Sequence, residues 1–328
     1  MKLKTEGYPG SWYPVARSCD LKPGQHQAIK AFDADWVLFR GDTGEVGCLS
    51  RHCAHMGADL CQGGVSGDAI ACPLHGWRFG RTGVCKQIPA LEETPSEIVS
   101  SHLPCEERFG IIFVFWGSEP EYDLPFPQGM EGTPTCSQVY CIDLPSEHHS
   151  PCLNTFDLQH FERIHNRHFK RRPQISSLHR RHLQIAYEAQ IIKRRWPDYV
   201  MSWIGSSTTR VIIDCWGASQ LMLLNLNTGI GGIVAMLPIE REYSRVFILA
   251  MKHQREDARW NHRLLDRVAV TAGVLLMRGF LYPDLAALTN MRPYSGRLID
   301  GLDDAAKQYW DYWEQLPRWN GPPAAHED

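Results

Sequence analysis

Cys53-Ala-His55 and, sixteen residues further on, Cys72-Pro-Leu-His75-Gly76-Trp77 form the stretch from which the rest of the chain is read. Two thiols and two imidazoles in paired short spacings suit a Cys2His2 zinc site or a [2Fe–2S] cluster in which two His replace two Cys on one iron. The order of the ligands separates these. Zinc fingers place a pair of Cys before a pair of His, whereas each arm here carries one Cys and one His. Cys and His scattered without a metal rarely fall in this order at this density.

Around that stretch, residues 1–117 read as short strands broken by Gly and Pro, with Val37–Arg40, Ala69–Cys72 and Gly110–Trp116 as examples. From Gly117 to Pro134 the chain turns rich in Pro, Gly and acids, which marks a domain boundary. We therefore divide it into 1–118 and 119–328. In the second part Leu183–Lys193, Val211–Cys215, Gln220–Leu226 and Arg245–Lys252 are strand-like and suit one antiparallel sheet. Trp260–Phe280 and Leu298–Leu316 have helical patterns, the latter with Tyr309, Trp310 and Trp313 on a face suited to core or subunit packing.

A chain of 328 residues with 43% apolar residues has room for two folded domains. A formal charge of −3 gives no reason to expect nucleic acid. The longest apolar stretches, Ile111–Trp116 and Val268–Met277, fall well short of the roughly 20 residues a spanning helix needs, so no membrane span is expected. Eleven cysteines without an apolar leader imply metal ligation in a reducing, cytoplasmic compartment, not disulfides.

A second constellation is Asn154-x2-Asp157-x2-His160-x4-His165. Ser150-Pro151 looks like a cap and first helical residue, so a helix is expected through Asn154–His165. On it, Asp157, His160, Phe161, Ile164 and His165 share one face. Two His on an apolar stripe are either satisfied core histidines or ligands in a dry pocket. Asp157 is either a helix-start acid favoured by the dipole or an acceptor that orients His160.

Both constellations together resemble the oxygenase components of Rieske non-haem iron oxygenases. The resemblance covers most of the chain and implies an α+β fold: an all-β Rieske domain followed by a helix-grip domain with a central antiparallel sheet. It implies that Cys53 and Cys72 hold one iron of a [2Fe–2S] cluster while His55 and His75 hold the other. Respiratory Rieske proteins add a disulfide whose cysteines would fall at Ala58 and Leu74, where none can form. The mononuclear-iron motif of the family matches Asn154, Asp157, His160 and His165. A 2-His-1-carboxylate site needs one more ligand, and the segment Asp284-Leu-Ala-Ala-Leu-Thr-Asn290 resembles the one that supplies it. Asp266, Asp300, Asp303 and Asp304 are its rivals.

Within the family, Cys53-Ala-His-Met-Gly-Ala-Asp-Leu, with Met56 where many relatives carry Arg, resembles 3-ketosteroid 9α-hydroxylase oxygenases. Chain length also resembles demethylating members. The implied activity is O2-dependent hydroxylation or demethylation of a hydrophobic small molecule at Fe(II). Electrons come from a ferredoxin or flavin reductase, usually within a homotrimer. A Rieske electron carrier and a metal-stabilised binding protein are the competing readings.

Overall fold

Ile111–Trp116 is a run of six buried apolar residues, long enough for a strand covered on both faces. In the computed structural model, which describes residues 7–132, 134–204, 207–253, 260–292 and 297–321, it is the middle strand of a three-stranded antiparallel sheet. Its neighbours are Cys105–Arg108 and Ser11–Arg17. Pro14 has no N–H to give to the ladder, and the register against Ser11–Arg17 slips between Ile112 and Phe113, leaving Val15 as the extra residue of a bulge.

Two four-stranded antiparallel sheets complete the core of this first unit. One runs in the order His102–Leu103, Val46–Ser50, Ala34–Arg40, His26–Ala31; the other runs Gly64–Ser66, Ala69–Ala71, Arg78–Gly80, Cys85–Gln87. Val37, Phe39, Leu49, Leu60, Ile70 and Phe79 form one apolar cluster, and Cys53 and Cys72 are packed into it. Two single 3-10 turns are the unit's only helical pieces among the described residues.

The unit runs past residue 118 to Leu124 and takes in the chain from Arg318 onward. Hydrogen bonding explains both differences from the expected division at 118/119. Trp12 Nε1 donates to the Tyr122 carbonyl at 2.8 Å, and Tyr122 Oη lies 2.9 Å from Ser11 Oγ. Strand Arg318–Trp319 pairs with Tyr8–Pro9, and Trp116 Nε1 donates to the Trp319 carbonyl at 2.9 Å.

The second unit, Pro125–Pro317, is built on a nine-stranded antiparallel sheet. Its path is Thr135–Cys136, Tyr243–Lys252, Ile230–Glu240, Gln220–Asn225, Thr208–Trp216, His182–Ile191, Arg167–Phe169, with Tyr140–Leu144 and Gln174–His179 pairing alongside. Among the described residues five helices accompany it: α1 (Ser150–Phe156), α2 (Leu158–Arg163), α3 (Trp196–Ile204), α4 (Trp260–Leu288) and α5 (Asp304–Gln315). Helix α4 packs on strand Tyr243–Lys252 and α3 packs on α4. The fold is α+β, with a long helix held against an antiparallel sheet as expected.

Two helices differ from their sequence patterns. Helix α4 continues to Leu288, two turns beyond Phe280 and through Pro283. A proline inside a helix costs about 3 kcal/mol; here the burial of Asp284, Leu285 and Leu288 holds the last turns in place. The single helix expected over Asn154–His165 is two helices broken at Asp157, with backbone angles of −81° and 101° there. The Asp157 carboxylate accepts the Gln159 N–H at 3.0 Å, so it starts a new helix instead of continuing the old one. Tyr309, Trp310 and Trp313 of α5 are buried, so that aromatic face is core.

Candidate metal centres

The two arms that carry Cys53 and Cys72 close in the same way. Gly57 N–H donates to the Cys53 carbonyl at 2.9 Å and Cys53 N–H to the Ala58 carbonyl at 2.8 Å; Gly76 N–H donates to Cys72 at 3.0 Å and Cys72 N–H to Trp77 at 2.8 Å. Each closure needs a left-handed residue at its fourth step, and glycine supplies it, with φ +72° at Gly57 and +71° at Gly76. A Cβ on Gly76 would also stand 3.2 Å from Pro89 Cγ.

These turns bury both cysteines, with their thiols in hydrogen-bonding reach of each other, and leave both histidines exposed. The His55 and His75 rings lie 5.0 Å apart, and His55 stacks flat on Trp77 at 4.2 Å. Asp59, at the foot of the first arm, accepts from Arg51 at 2.7 Å and caps the following 3-10 turn. The bond from Arg51 holds that carboxyl well below the usual range. Burial pushes the Cys53 thiol up to about 11. A thiol in such surroundings becomes a thiolate when a metal neutralises it, so two thiols and two imidazoles fit the donor set of a Cys2His2 iron–sulfur centre.

His160 near the end of α2, His165 just beyond it and Asp284 on α4 converge in the second unit. One ligand atom from each lies within 4.8 Å of the others, and all three side chains are buried. His165 Nε2 is 2.8 Å from Asp284 Oδ2, while Asp284 Oδ1 is buried without a hydrogen-bond partner. A buried carboxylate oxygen left unpaired is costly; a cation between these three residues would satisfy it. His160 Nδ1 donates to the Asp157 carbonyl, which leaves Nε2 as the ring's lone-pair donor. Burial also pushes the His160 pKa down, which favours the neutral, ligating imidazole. The residues fit a 2-His-1-carboxylate metal site.

The other sequence candidates are placed differently. Asp157 meets His160 through its carbonyl, while its carboxylate caps α2. Asn154 lies half-buried on α1, and its side chain makes no hydrogen bond among the described residues. Since the helix breaks at Asp157 and ends at Arg163, the two His do not share a helical face. His165 reaches the site from the turn after α2, where Asn166 takes φ +54°. The rival acids are engaged elsewhere: Asp266 with Lys252, Asp300 with Lys307, Asp303 with Gln159 and Asp304 with Arg172.

Behind the triad lies a mainly apolar cavity of about 170 Å³ that sequence reasoning missed. Phe280 and Arg167 belong to its wall; Phe280 stacks on His165 at 3.8 Å, and Arg167 donates to the His165 carbonyl at 2.8 Å. Arg167 is itself held by Asp198 at 2.8 Å, both buried. Tyr187, Met201 and Met277 line the same space. Burial pushes the Tyr187 phenol well above its usual range, so it stays protonated. These residues come from two strands and two helices, and no local spacing announces them.

Residues 11–102 match the family described as Rieske [2Fe-2S] domain. The chain thus carries a Rieske domain, and its cofactor there is the [2Fe–2S] cluster. Over more than nine-tenths of its length the chain also shares its fold with two solved proteins. Dicamba monooxygenase bound to dicamba matches over 94% of this chain and 98% of its own, with a TM-score of 0.65 at 17% identity. NdmA of Pseudomonas putida CBB5 with caffeine matches over 92% and 89%, with a TM-score of 0.64 at 18% identity.

Among curated proteins, chlorophyllide a oxygenase of Arabidopsis thaliana is 37% identical over 168 residues, 51% of this chain and 31% of that protein. The oxygenase component of a 3-ketosteroid-9-alpha-monooxygenase from Rhodococcus rhodochrous is 31% identical over 161 residues, 47% of this chain and 43% of that protein. The matched stretches therefore span less than half of these relatives.

Proposed function

We propose that the chain is the terminal oxygenase of a multicomponent monooxygenase, acting in the cytoplasm on an apolar, ring-containing small molecule. The observation that carries this is the orphaned Asp284 Oδ1 in a buried triad that opens beside an apolar cavity. An Fe(II) held by His160, His165 and Asp284 supplies O2 activation for hydroxylation or oxidative demethylation. The protein's own part is to position and to exclude water. Phe280 fixes the plane of His165, the Asp157 carbonyl fixes the tautomer of His160, and Met201, Met277 and Phe280 keep the substrate's surroundings dry.

In this reading Cys53, His55, Cys72 and His75 hold the cluster, and the first unit forms the electron-delivering domain of an enzyme whose second unit is catalytic. Electrons arrive from a ferredoxin or flavin reductase. The enzyme works as a homotrimer in which the cluster of one subunit serves the iron of its neighbour, with Asp157 and Asn154 at that junction. Similarity to proteins named for ketosteroid and chlorophyllide chemistry supports ring substrates as a class.

The test is turnover of a steroid panel and a methoxy- and N-methyl-aromatic panel by the iron-loaded protein with a surrogate reductase. Oxygen uptake matched by a hydroxylated or demethylated product is expected. A cluster that reduces and reoxidises without product from any substrate would reduce the protein to an electron carrier.

A further inference from the structure

Helices α3 and α4 have apolar residues on both of their sides. Their inner sides carry Met201, Leu276, Met277 and Phe280, which line the cavity beside the triad. Their outer sides are also apolar and face water. On α3, Trp196, Tyr199 and Trp203 follow i, i+3, i+7, and Trp203 is 88% exposed. On α4, Leu264, Val268, Leu275 and Tyr282 fall within roughly 40° of one another around the helix, and all four are exposed. The two stripes join where Trp196 Cζ2 would stand 3.1 Å from a Cβ on Gly279, one turn before Tyr282. An exposed apolar surface of this extent marks an interaction site.

Among the described residues of α3, α4 and the turn before α3, the exposed charges have one sign. Asp198, Asp266 and Asp284 are the only acids in the two helices, and all three are buried. The exposed charges are Arg263, Arg267 and Arg278 on α4 and Lys193, Arg194 and Arg195 just before α3. Arg278 lies over the Tyr140 ring at 4.4 Å; the other five make no ion pair among the described residues. Two copies of this face brought together would set cation against cation. Trp and Tyr beside Lys and Arg, around a Leu/Val stripe, match the interface of an anionic bilayer. No helix among the described residues is long and apolar enough to cross a membrane, so contact of this kind is peripheral.

We propose that the outer faces of α3 and α4 dock on an anionic lipid surface. The docking stands on the surface alone. Its consequence, that an apolar substrate passes from the bilayer between the two helices into the cavity below, rests on the oxygenase reading.

The experiment is flotation of the iron-loaded protein with vesicles of phosphatidylcholine alone or with about a third phosphatidylserine. The protein should float with the anionic vesicles and not with the neutral ones, and tryptophan emission should shift to the blue. Trp203→Ser should lower partitioning about tenfold. Joint replacement of Lys193, Arg194 and Arg195 by Gln should lower it on the order of a hundredfold. No flotation, or variants that float like the parent, would overturn the proposal. So would a fall in the mass of the lipid-free protein on Trp203→Ser or Leu264→Gln, which would give the face to a second copy of the chain. Turnover of a water-soluble substrate by the same variants keeps the two readings apart: turnover intact with flotation absent sinks the docking alone, whereas flotation without turnover of any substrate sinks the oxygenase reading alone.

Discussion

His165 Nε2 and Asp284 Oδ2 stand 2.8 Å apart although 119 residues separate them in the chain. Without a metal this is a hydrogen bond; with one, both atoms turn to the cation. Asp284→Ala should therefore remove the mononuclear iron and lower turnover by roughly a hundredfold or more, while the cluster still reduces at the parent rate. Iron analysis and stopped-flow reduction check this. Normal activity in that variant, with loss on Asp300→Ala, would transfer the ligand role.

Three irons per chain, about two in the cluster and one alone, are expected in the loaded protein. Cys72→Ser should bleach the visible spectrum. His160→Ala should keep it and lose only the single iron. A bleached spectrum in the His160 variant would mean that the two sites are not separate.

The buried pair Arg167–Asp198 ties the strand after α2 to the start of α3, where Asp198 also accepts the Arg195 N–H at 3.0 Å. Removing one partner strands the other charge in the interior. Asp198→Ala should cost about 3–5 kcal/mol of stability, read as a lower midpoint in chemical denaturation. Exposed Asp300→Ala should change it little.

Iron retention at the triad should depend on pH with a definite sign. Burial lowers the His160 pKa from its usual value near 6.5, so the neutral, ligating ring persists below that pH. Protons compete for Nε2 only as the pH falls further. Dialysis against a weak chelator should leave the iron in place at about pH 6.5 and remove it progressively below. Loss beginning instead near pH 8 would count against His160 as a ligand.

How much of this was legible in the sequence depended on distance along the chain. The cluster arms were readable because each packs its Cys, His and Gly within five residues and closes on itself. The strands were readable because their apolar runs are long. The third ligand was not: Asp284 carries no local mark, and only the resemblance singled it out from Asp266 or Asp304. The helix break at Asp157 escaped the pattern because an apolar stripe and a capping side chain compete for the same residue, and the cap won. Helix α4 outran its pattern because burial of Leu285 and Leu288 outweighs Pro283. The cavity arises from packing between distant elements, to which periodicity is blind, and that the tryptophan stripe of α3 faces water is settled only by what packs on the helix's other side.

The pairing of Tyr8–Pro9 with Arg318–Trp319 has a consequence for the order of events during translation. The first unit is nearly complete when Leu124 leaves the ribosome, yet its closing strand is still unmade. At about 5–20 residues per second, the intervening chain takes roughly ten to forty seconds to emerge. Throughout that interval Trp116 lacks the Trp319 carbonyl that its indole N–H will meet. A nascent chain would thus hold its cysteines in formed arms while the unit's seam is still open, and cluster delivery in that window would meet a looser domain than the finished protein offers.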